Sequence, residues 1–284
     1  MSNSSQNFFK MHSLGNHFMV IDGVTRNFEA DPARIAAWGD ANTGIGFDQL
    51  LVIAPPTEPE ADFRYQIFNA DGSEAQQCGN GTRCVALLVK RLGLSPRDTL
   101  RWQSLAGTIV TEAVSADQFA TTMTVPVLEP AAIPFDPAHA SAGARPGTHT
   151  LDSAAGDFEL MPVSMGNPHG VLFTDNLRDL DVATIGATLT DHPAFPERAN
   201  IGFCQVVDRQ FVRLRVFERG VGETQACGSG ACAAVVAARL QDRVDERVKV
   251  SLPGGKLRIA WCGQEDTVKM AGPATLVFEG TIAL

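Results

Sequence analysis

A chain of 284 residues, 44% hydrophobic and 19% charged, has the length of two domains and enough apolar content to bury a core without disulfide staples. Its net charge of -9, with lysines and arginines scattered along the chain, argues against nucleic acid or an anionic membrane as a partner, and no apolar run approaches a membrane span. The opening residues MSNSSQN carry no apolar signal-peptide core, so a cytoplasmic location is expected, and the six cysteines are expected as reduced thiols.

In chain order, FFKMHSLGNHFMVID (Phe8 to Asp22) reads as a strand, a turn at Leu14-Gly15-Asn16 and a second apolar strand. Pro32 to Trp38 carries a weak helical pattern. Phe63, Tyr65 and Ile67 alternate with polar residues at the period of a half-buried strand and lead into FNADGSEAQQCGNGTRC. After Cys78 comes Gly-x-Gly and then the apolar run Val85 to Leu92, long enough for a buried helix. From about Val125 to Ala155, proline, alanine and glycine dominate with little periodicity, which reads as an exposed connection between domains. VSMGNPHGVLFTD then repeats the Gly-Asn turn at Gly166-Asn167, ahead of Val171, Leu172 and Phe173. Leu177 to Leu189 is a second weak helical signal. Val212, Leu214 and Val216 alternate before ERGVGETQACGSGACA, and Ala231 to Leu240 is an alanine-rich helix. VSLPGGKLRIAW reads as a Gly-Gly hairpin and ATLVFEGTIAL as a final strand.

The order of these elements is itself a repeat. Aligning Cys78 with Cys227 sets an offset of 149, at which Phe68 meets Phe217, Glu74 meets Glu223 and Gln76 meets Gln225. The Gly-Asn turns echo each other at an offset of 151, and NTGIGFDQ set against RANIGFCQ pairs Gly46 with Gly202 and Gln49 with Gln205 at 156. Three echoes in one order predict a duplication: an α+β chain of two similar domains, each with one central helix.

Both cysteines then fall at a helix N-terminus. Unpaired backbone N-H groups and the positive end of the helix dipole favour an anion there by roughly 0.3 to 1 kcal/mol, whether a thiolate or a bound carboxylate. One thiol on each side of a ligand is what inversion of a stereocentre by proton transfer needs, because a base that takes a proton from one face cannot easily return it to the other. The glycine-flanked amides would hold a carboxylate and stabilise charge developing on it.

Other readings of these residues exist. Cys84, Cys204, Cys232 and Cys262 read as small core residues. Zinc held by cysteines 78, 84, 227 and 232 meets poor ligand spacing on helices. A redox pair of Cys78 and Cys227 stays open, without a Cys-x-x-Cys to support it. Gly228 to Ala233 fits a dinucleotide fingerprint, but the loop before it is too long for that tight turn and the first copy lacks the match. Pyridoxal phosphate needs a lysine, and none of the five lysines lies in the doubled stretches.

KMHSLGNHF, FNADGSEAQQCGNGTRC, SMGNPHG, FPERAN, ERGVGETQACGSGACAA, LPGGKL and AGPA together resemble the diaminopimelate epimerases, enzymes of lysine and peptidoglycan-precursor synthesis, over nearly the whole chain. The resemblance implies two pseudo-symmetric domains, each a curved, mostly antiparallel sheet around a central helix, with the active site in the cleft between them. It places an N-terminal domain at 1-126, completed by a last strand at 273-284, and a C-terminal domain at 127-272. It implies interconversion of LL- and meso-diaminopimelate without cofactor or metal, by a homodimer.

Residue by residue, it makes Cys78 and Cys227 the two acid/base thiols. The amides of Gly79-Asn80 and Gly228-Ser229 would hold the carboxylate at the reacting centre. Asn16, Gln49, Asn69, Asn167, Asn200, Glu218 and Arg219 would bind the rest of the substrate, Arg219 through the planar fork that suits a distal carboxylate. His169 and Glu218 would support the thiols and the α-amino group. The chain departs from the pattern at His17, where an acid is usual, at Ser13 for glycine, at Ala41 for arginine, at Ser229 for threonine and in MTVP at Met123.

Overall fold

The computed structural model describes residues 5–75, 78–263 and 265–284. Gln76, set opposite Gln225 in the repeat, lies outside the described residues. In chain order these form β1 (Ser5–Ser13), β2 (Asn16–Asp22), α1 (Pro32–Gly39), β3 (Gln49–Ala54), β4 (Phe63–Asn69), β5 (Glu74–Ala75), α2 (Gly79–Leu92), β6 (Thr99–Ser104), β7 (Gly107–Ala113) and β8 (Gln118–Thr122). Next come β9 (Ser141–Ala142), β10 (His149–Ser153), β11 (Gly156–Ser164), β12 (Pro168–Phe173), α3 (Val182–Thr190), β13 (Asn200–Asp208), β14 (Phe211–Glu218), β15 (Gly222–Thr224), α4 (Gly228–Leu240), β16 (Arg247–Leu252), β17 (Gly255–Ala260), β18 (Lys269–Pro273) and β19 (Thr275–Ala283). The chain divides into two units, Met1–Thr122 with Ala271–Leu284, and Met123–Met270.

In the first unit β1 and β2 form a hairpin whose turn needs positive φ at Leu14 (56°) and Gly15 (86°). β2 runs parallel to β3, with Phe18 opposite Gln49, and β3 antiparallel to β4, with Leu50 opposite Phe68. β4 continues parallel to β6, and β6, β7 and β8 form a meander. The final strand β19 lies antiparallel on β1, from Ser5 opposite Ala283 onward, so the chain's end completes the first unit.

Alternation sorts the strand residues onto two faces. Phe18, Val20, Leu51, Ile53, Tyr65 and Ile67 pack with the Cys84 to Val89 stretch of α2. Met19, Ile21, Leu50 and Val52 pack with Ile35 and Trp38 of α1 on the other face. Covering on both sides is why β2 and β3 read as continuous apolar runs rather than alternating ones. Asp31 caps α1 ahead of Pro32, and Gly93, at φ 66°, closes α2.

The second unit repeats the plan. β11 and β12 are antiparallel, β12 runs parallel to β13 with His169 opposite Asn200, and β13 is antiparallel to β14 with Ile201 opposite Phe217. β16 and β17 make the hairpin read from LPGG, Leu252 opposite Gly255. Ala231 to Ala238 of α4 are fully buried. Each unit is thus a mixed, mostly antiparallel sheet around one buried helix, the α+β class expected.

Five expectations need correction. The parallel registers make Gln49 the counterpart of Asn200, not Gln205, because Phe18 with Gln49 in one unit answers His169 with Asn200 in the other. The likeness of Gly46 to Gly202 is one of letters: Gly46 sits in a loop at φ 65°, Gly202 inside β13. The stretch read as an exposed connection instead contributes Ile133, Phe135 and Leu151 to the second unit's core. The helix expected from Leu177 begins at Val182, where the Asp181 side chain accepts from Thr184 N. Cys262, read as a core residue, is exposed, whereas Cys84, Cys204 and Cys232 are buried as expected.

Candidate functional site

The first unit brings Asn16, Cys78, Gly79 and Asn80 together. Cys78 is the N-cap of α2, in extended backbone, and its sulfur accepts from Gly81 N at 3.4 Å. The same sulfur lies 3.8 Å from Asn16 Oδ1, as an S-H donor to it. Asn80 Nδ2 also donates to Asn16 Oδ1, at 3.3 Å. Tyr65 Oη donates to the Cys78 carbonyl at 3.3 Å and ties the helix start to β4. Gln49 and Asn69 face each other across β3 and β4, Gln49 Nε2 donating to Asn69 Oδ1 at 3.2 Å, and Asn69 Nδ2 donates to Ser73 Oγ at 3.0 Å.

The second unit brings Cys227, Glu218 and Ser229 together. Cys227 is the N-cap of α4 and only 4% exposed, and its sulfur lies 3.6 Å from Ser229 Oγ. Burial, and then the Glu218 carboxylate beside it, push the Cys227 thiol well above its ordinary range, against the smaller pull of Ser229 and the Gly230 amide. Glu218 is held by Thr224 Oγ1 at 2.5 Å. Asn200 Oδ1 accepts from Arg219 N at 2.9 Å, and Arg219 Nη1 donates to Glu197 O at 2.9 Å.

His169, 1% exposed on β12, places Nε2 3.2 Å from Asn167 Oδ1. Burial and the nearby Arg219 charge push it down to about 3, so it is neutral at ordinary pH. Its Nδ1 is buried and has no hydrogen-bond partner among the described residues. The register that pairs Gln49 with Asn200 also gives Phe18 as the first unit's counterpart of His169. The two halves therefore share cysteines, amides and asparagines but not this ring.

Sequence reasoning passed over two residues. Asp48 accepts from Asn16 Nδ2 at 2.7 Å and from His17 N at 2.9 Å. Arg83, fully buried, donates to Asn80 Oδ1 at 2.5 Å, to Gly79 O at 3.1 Å and to Ser13 Oγ at 2.7 Å. A cation within the apolar run GTRCVALLV is the signal that marks Arg83, since a charge is rarely buried without a task. Ser13, one of the departures from the family pattern, acquires a purpose here: its hydroxyl links Arg83 to Pro273 O, to which it donates at 2.7 Å.

Of the zinc set considered, Cys84 and Cys232 are buried inside their helices. Among the described residues no group of three or more His, Cys, Asp or Glu side chains could hold a metal ion, and no helix is long and apolar enough to cross a membrane.

The family description "Diaminopimelate epimerase" matches residues 8–128 and 161–277. A diaminopimelate epimerase of Ectopseudomonas mendocina (strain ymp) is 48% identical over 277 residues, 98% of this chain and 99% of that protein. One of Azotobacter vinelandii (strain DJ / ATCC BAA-1303) is 50% identical over 277 residues, with the same coverage. Among solved structures, a hydroxyproline epimerase from Agrobacterium vitis superposes with a TM-score of 0.70 at 14% identity, over 99% of this chain and 93% of that one. A Bacillus anthracis phenazine biosynthesis protein of the PhzF family superposes at 0.66 and 14% identity, over 99% and 100%. At that identity the structural matches speak to fold alone, and they share it. The match across both halves, and relatives about half identical from end to end, mean that this chain belongs to the diaminopimelate epimerase family of isomerases.

Proposed function

We propose that the protein interconverts LL- and meso-diaminopimelate by passing the α-proton between Cys78 and Cys227, without a cofactor. The observation that carries the reading is the doubled cap: each cysteine is the N-cap of the one helix buried in its unit. In one direction a thiolate removes the proton from Cα and becomes a thiol. The electron pair left on the carbon is delocalised into the adjacent carboxylate, and the second thiol delivers its proton to the opposite face and becomes a thiolate. Reversal exchanges the roles, so neither proton nor charge is lost.

The amides of Gly79-Asn80 and Gly228-Ser229 are the proposed donors to that carboxylate, where negative charge develops. Asn16, Gln49, Asn69, Asn167 and Asn200 supply neutral polar contacts, and Arg219 the cation for the distal carboxylate. Glu218, beside Cys227, favours the thiol there, the form that delivers a proton. His169 stays neutral and can take a hydrogen bond from the α-amino group at Nδ1. A cytoplasmic homodimer belongs to the same reading.

Cys78→Ala and Cys227→Ala test it. Each is expected to lower epimerisation at least about a hundredfold, the scale of a lost general acid or base, with the far-UV circular dichroism of the parent. In deuterated water the parent should place deuterium at one α-carbon of diaminopimelate. Full activity in either variant, or turnover without label, overturns the reading.

A further inference from the structure

Around Cys78 the side chains form a line with a direction. Arg83 donates to Asn80 Oδ1, Asn80 Nδ2 donates to Asn16 Oδ1, and Asn16 Nδ2 donates to Asp48 Oδ2, at 2.5, 3.3 and 2.7 Å. The two ends fix which way each amide points. A guanidinium has only donors, so Asn80 must turn its oxygen to Arg83 and its NH2 away. A carboxylate only accepts, so Asn16 must turn its NH2 to Asp48. What remains of Asn16 is its oxygen, and that atom lies 3.8 Å from the Cys78 sulfur.

An oxygen there accepts a hydrogen bond from S-H and repels a thiolate. Opposite to it, Gly81 N donates to the same sulfur and favours the thiolate. Among the described residues the sulfur has Gly81 N as a donor and Asn16 Oδ1 as an acceptor, and the acceptor's orientation is set by Asp48 directly and by Arg83 through Asn80. Asp48 is in turn held from outside by His17, whose backbone N-H donates to Oδ2 at 2.9 Å and whose Nε2 lies 3.6 Å from Oδ1. Lys10 Nζ is 3.3 Å from His17 Nδ1 and donates to Gly46 O. The titratable or charged groups meeting this line among the described residues include Lys10, His17, Asp48, Tyr65, Cys78, Arg83 and the buried Cys84, which lies near Cys78 and Arg83. Among the described residues the second unit is arranged differently: Asn167 Oδ1 faces His169 Nε2, and Glu218 is an acceptor beside Cys227.

We infer that Asp48 is a positioning residue, the anchor of a directed chain from Arg83 through Asn80 and Asn16 that aims Asn16 Oδ1 at Cys78 and sets the balance between thiol and thiolate there. The inference deepens the role proposed for Cys78 as an acid/base thiol.

The test reads Cys78 without substrate, so its outcome is separate from that of the epimerase reading. The rate of carbamidomethylation of Cys78 by iodoacetamide is followed against pH in the intact protein, by mass spectrometry of the Cys78 peptide. Asp48→Ala leaves Asn16 unanchored and is expected to raise the rate at pH 7 about three- to tenfold, the worth of one hydrogen bond that only the thiol can make. Asp48→Asn keeps an acceptor of the same shape and is expected to stay near the parent. Asn16→Ala, which removes the accepting oxygen itself, should reproduce the rise, and it carries the test if Asp48→Ala melts early. An unchanged profile in Asp48→Ala or in Asn16→Ala overturns the inference. So does an equal rise in Asp48→Ala and Asp48→Asn, which would make the effect one of charge alone.

Discussion

Protonation at single residues decides both the chemistry proposed and part of the stability. His169 is buried neutral and held at about 3, whereas an unfolded histidine takes its proton near 6.5. Between those values the unfolded chain binds the extra proton and the folded one does not. Stability contributed by His169 is therefore complete above about pH 6.5 and is lost as pH falls toward 3, by up to about 1.4 kcal/mol per pH unit. His169→Phe copies Phe18, the residue in the equivalent place of the first unit, and removes the titration. Thermal melts from pH 7 to 4 are expected to show a shallower loss of Tm in the variant than in the parent. Equal slopes would mean that other groups carry the acid sensitivity.

At the scale of elements, the two buried helices are aimed by close packing at their first turns. A Cβ on Gly81 would come 2.3 Å from Tyr65 Oη and 3.1 Å from Leu51 Cδ1. Helix propensity alone favours alanine over glycine by about 1 kcal/mol, but overpacking at a buried turn costs about 1 to 3 kcal/mol and wins. Gly81→Ala is expected to lower stability and to move Cys78 and its amides, so activity should fall as well. Adding Tyr65→Phe removes the obstructing oxygen and should return part of both losses, measured by chemical denaturation and by turnover. A double variant no better than Gly81→Ala alone would place the strain elsewhere.

These capped helices are legible in the sequence because a cysteine, a Gly-x-Gly and an apolar run sit in one short stretch. So are the paired hairpin turns, where Gly15 and Gly166 permit a positive φ. Asp48 is not legible. Its partner Asn16 lies 32 residues away, and only the β2 to β3 register joins them. Nor is the burial of Ile133 and Phe135, two isolated apolar residues among prolines whose period shows nothing. The third echo misleads for a related reason: IGF occurs twice, yet hydrogen-bond register, not spelling, determines which residues correspond.

For the whole molecule, the consequence of duplication is two cores that are each complete, the first only with help from the chain's far end. β19 pairs with β1 along its length, and Gly280 lies against Phe8 so closely that an added Cβ would fall 2.6 Å from the ring. Phe278 meets the same ring edge-on, with centroids 6.0 Å apart. Phe8, 3% exposed, is one of the residues packed against α1, so β19 covers the edge of that core. Deleting residues 275–284 removes this cover and leaves the hydrogen-bonding groups of β1 unpaired on one side. Among the described residues, the elements packed most closely on α4 are β11, β12, β13, β14 and β17, which all lie within Met123–Met270 and do not include β19. Hydrogen exchange of the truncated chain is therefore expected to lose protection through β1, β2 and β3 while β13, β14 and α4 stay protected, and calorimetry should resolve a lowered transition beside a largely unchanged one. Uniform loss of protection across both units would show that they fold as a single cooperative body, and unchanged protection in β1 would show that the first core closes without its last strand.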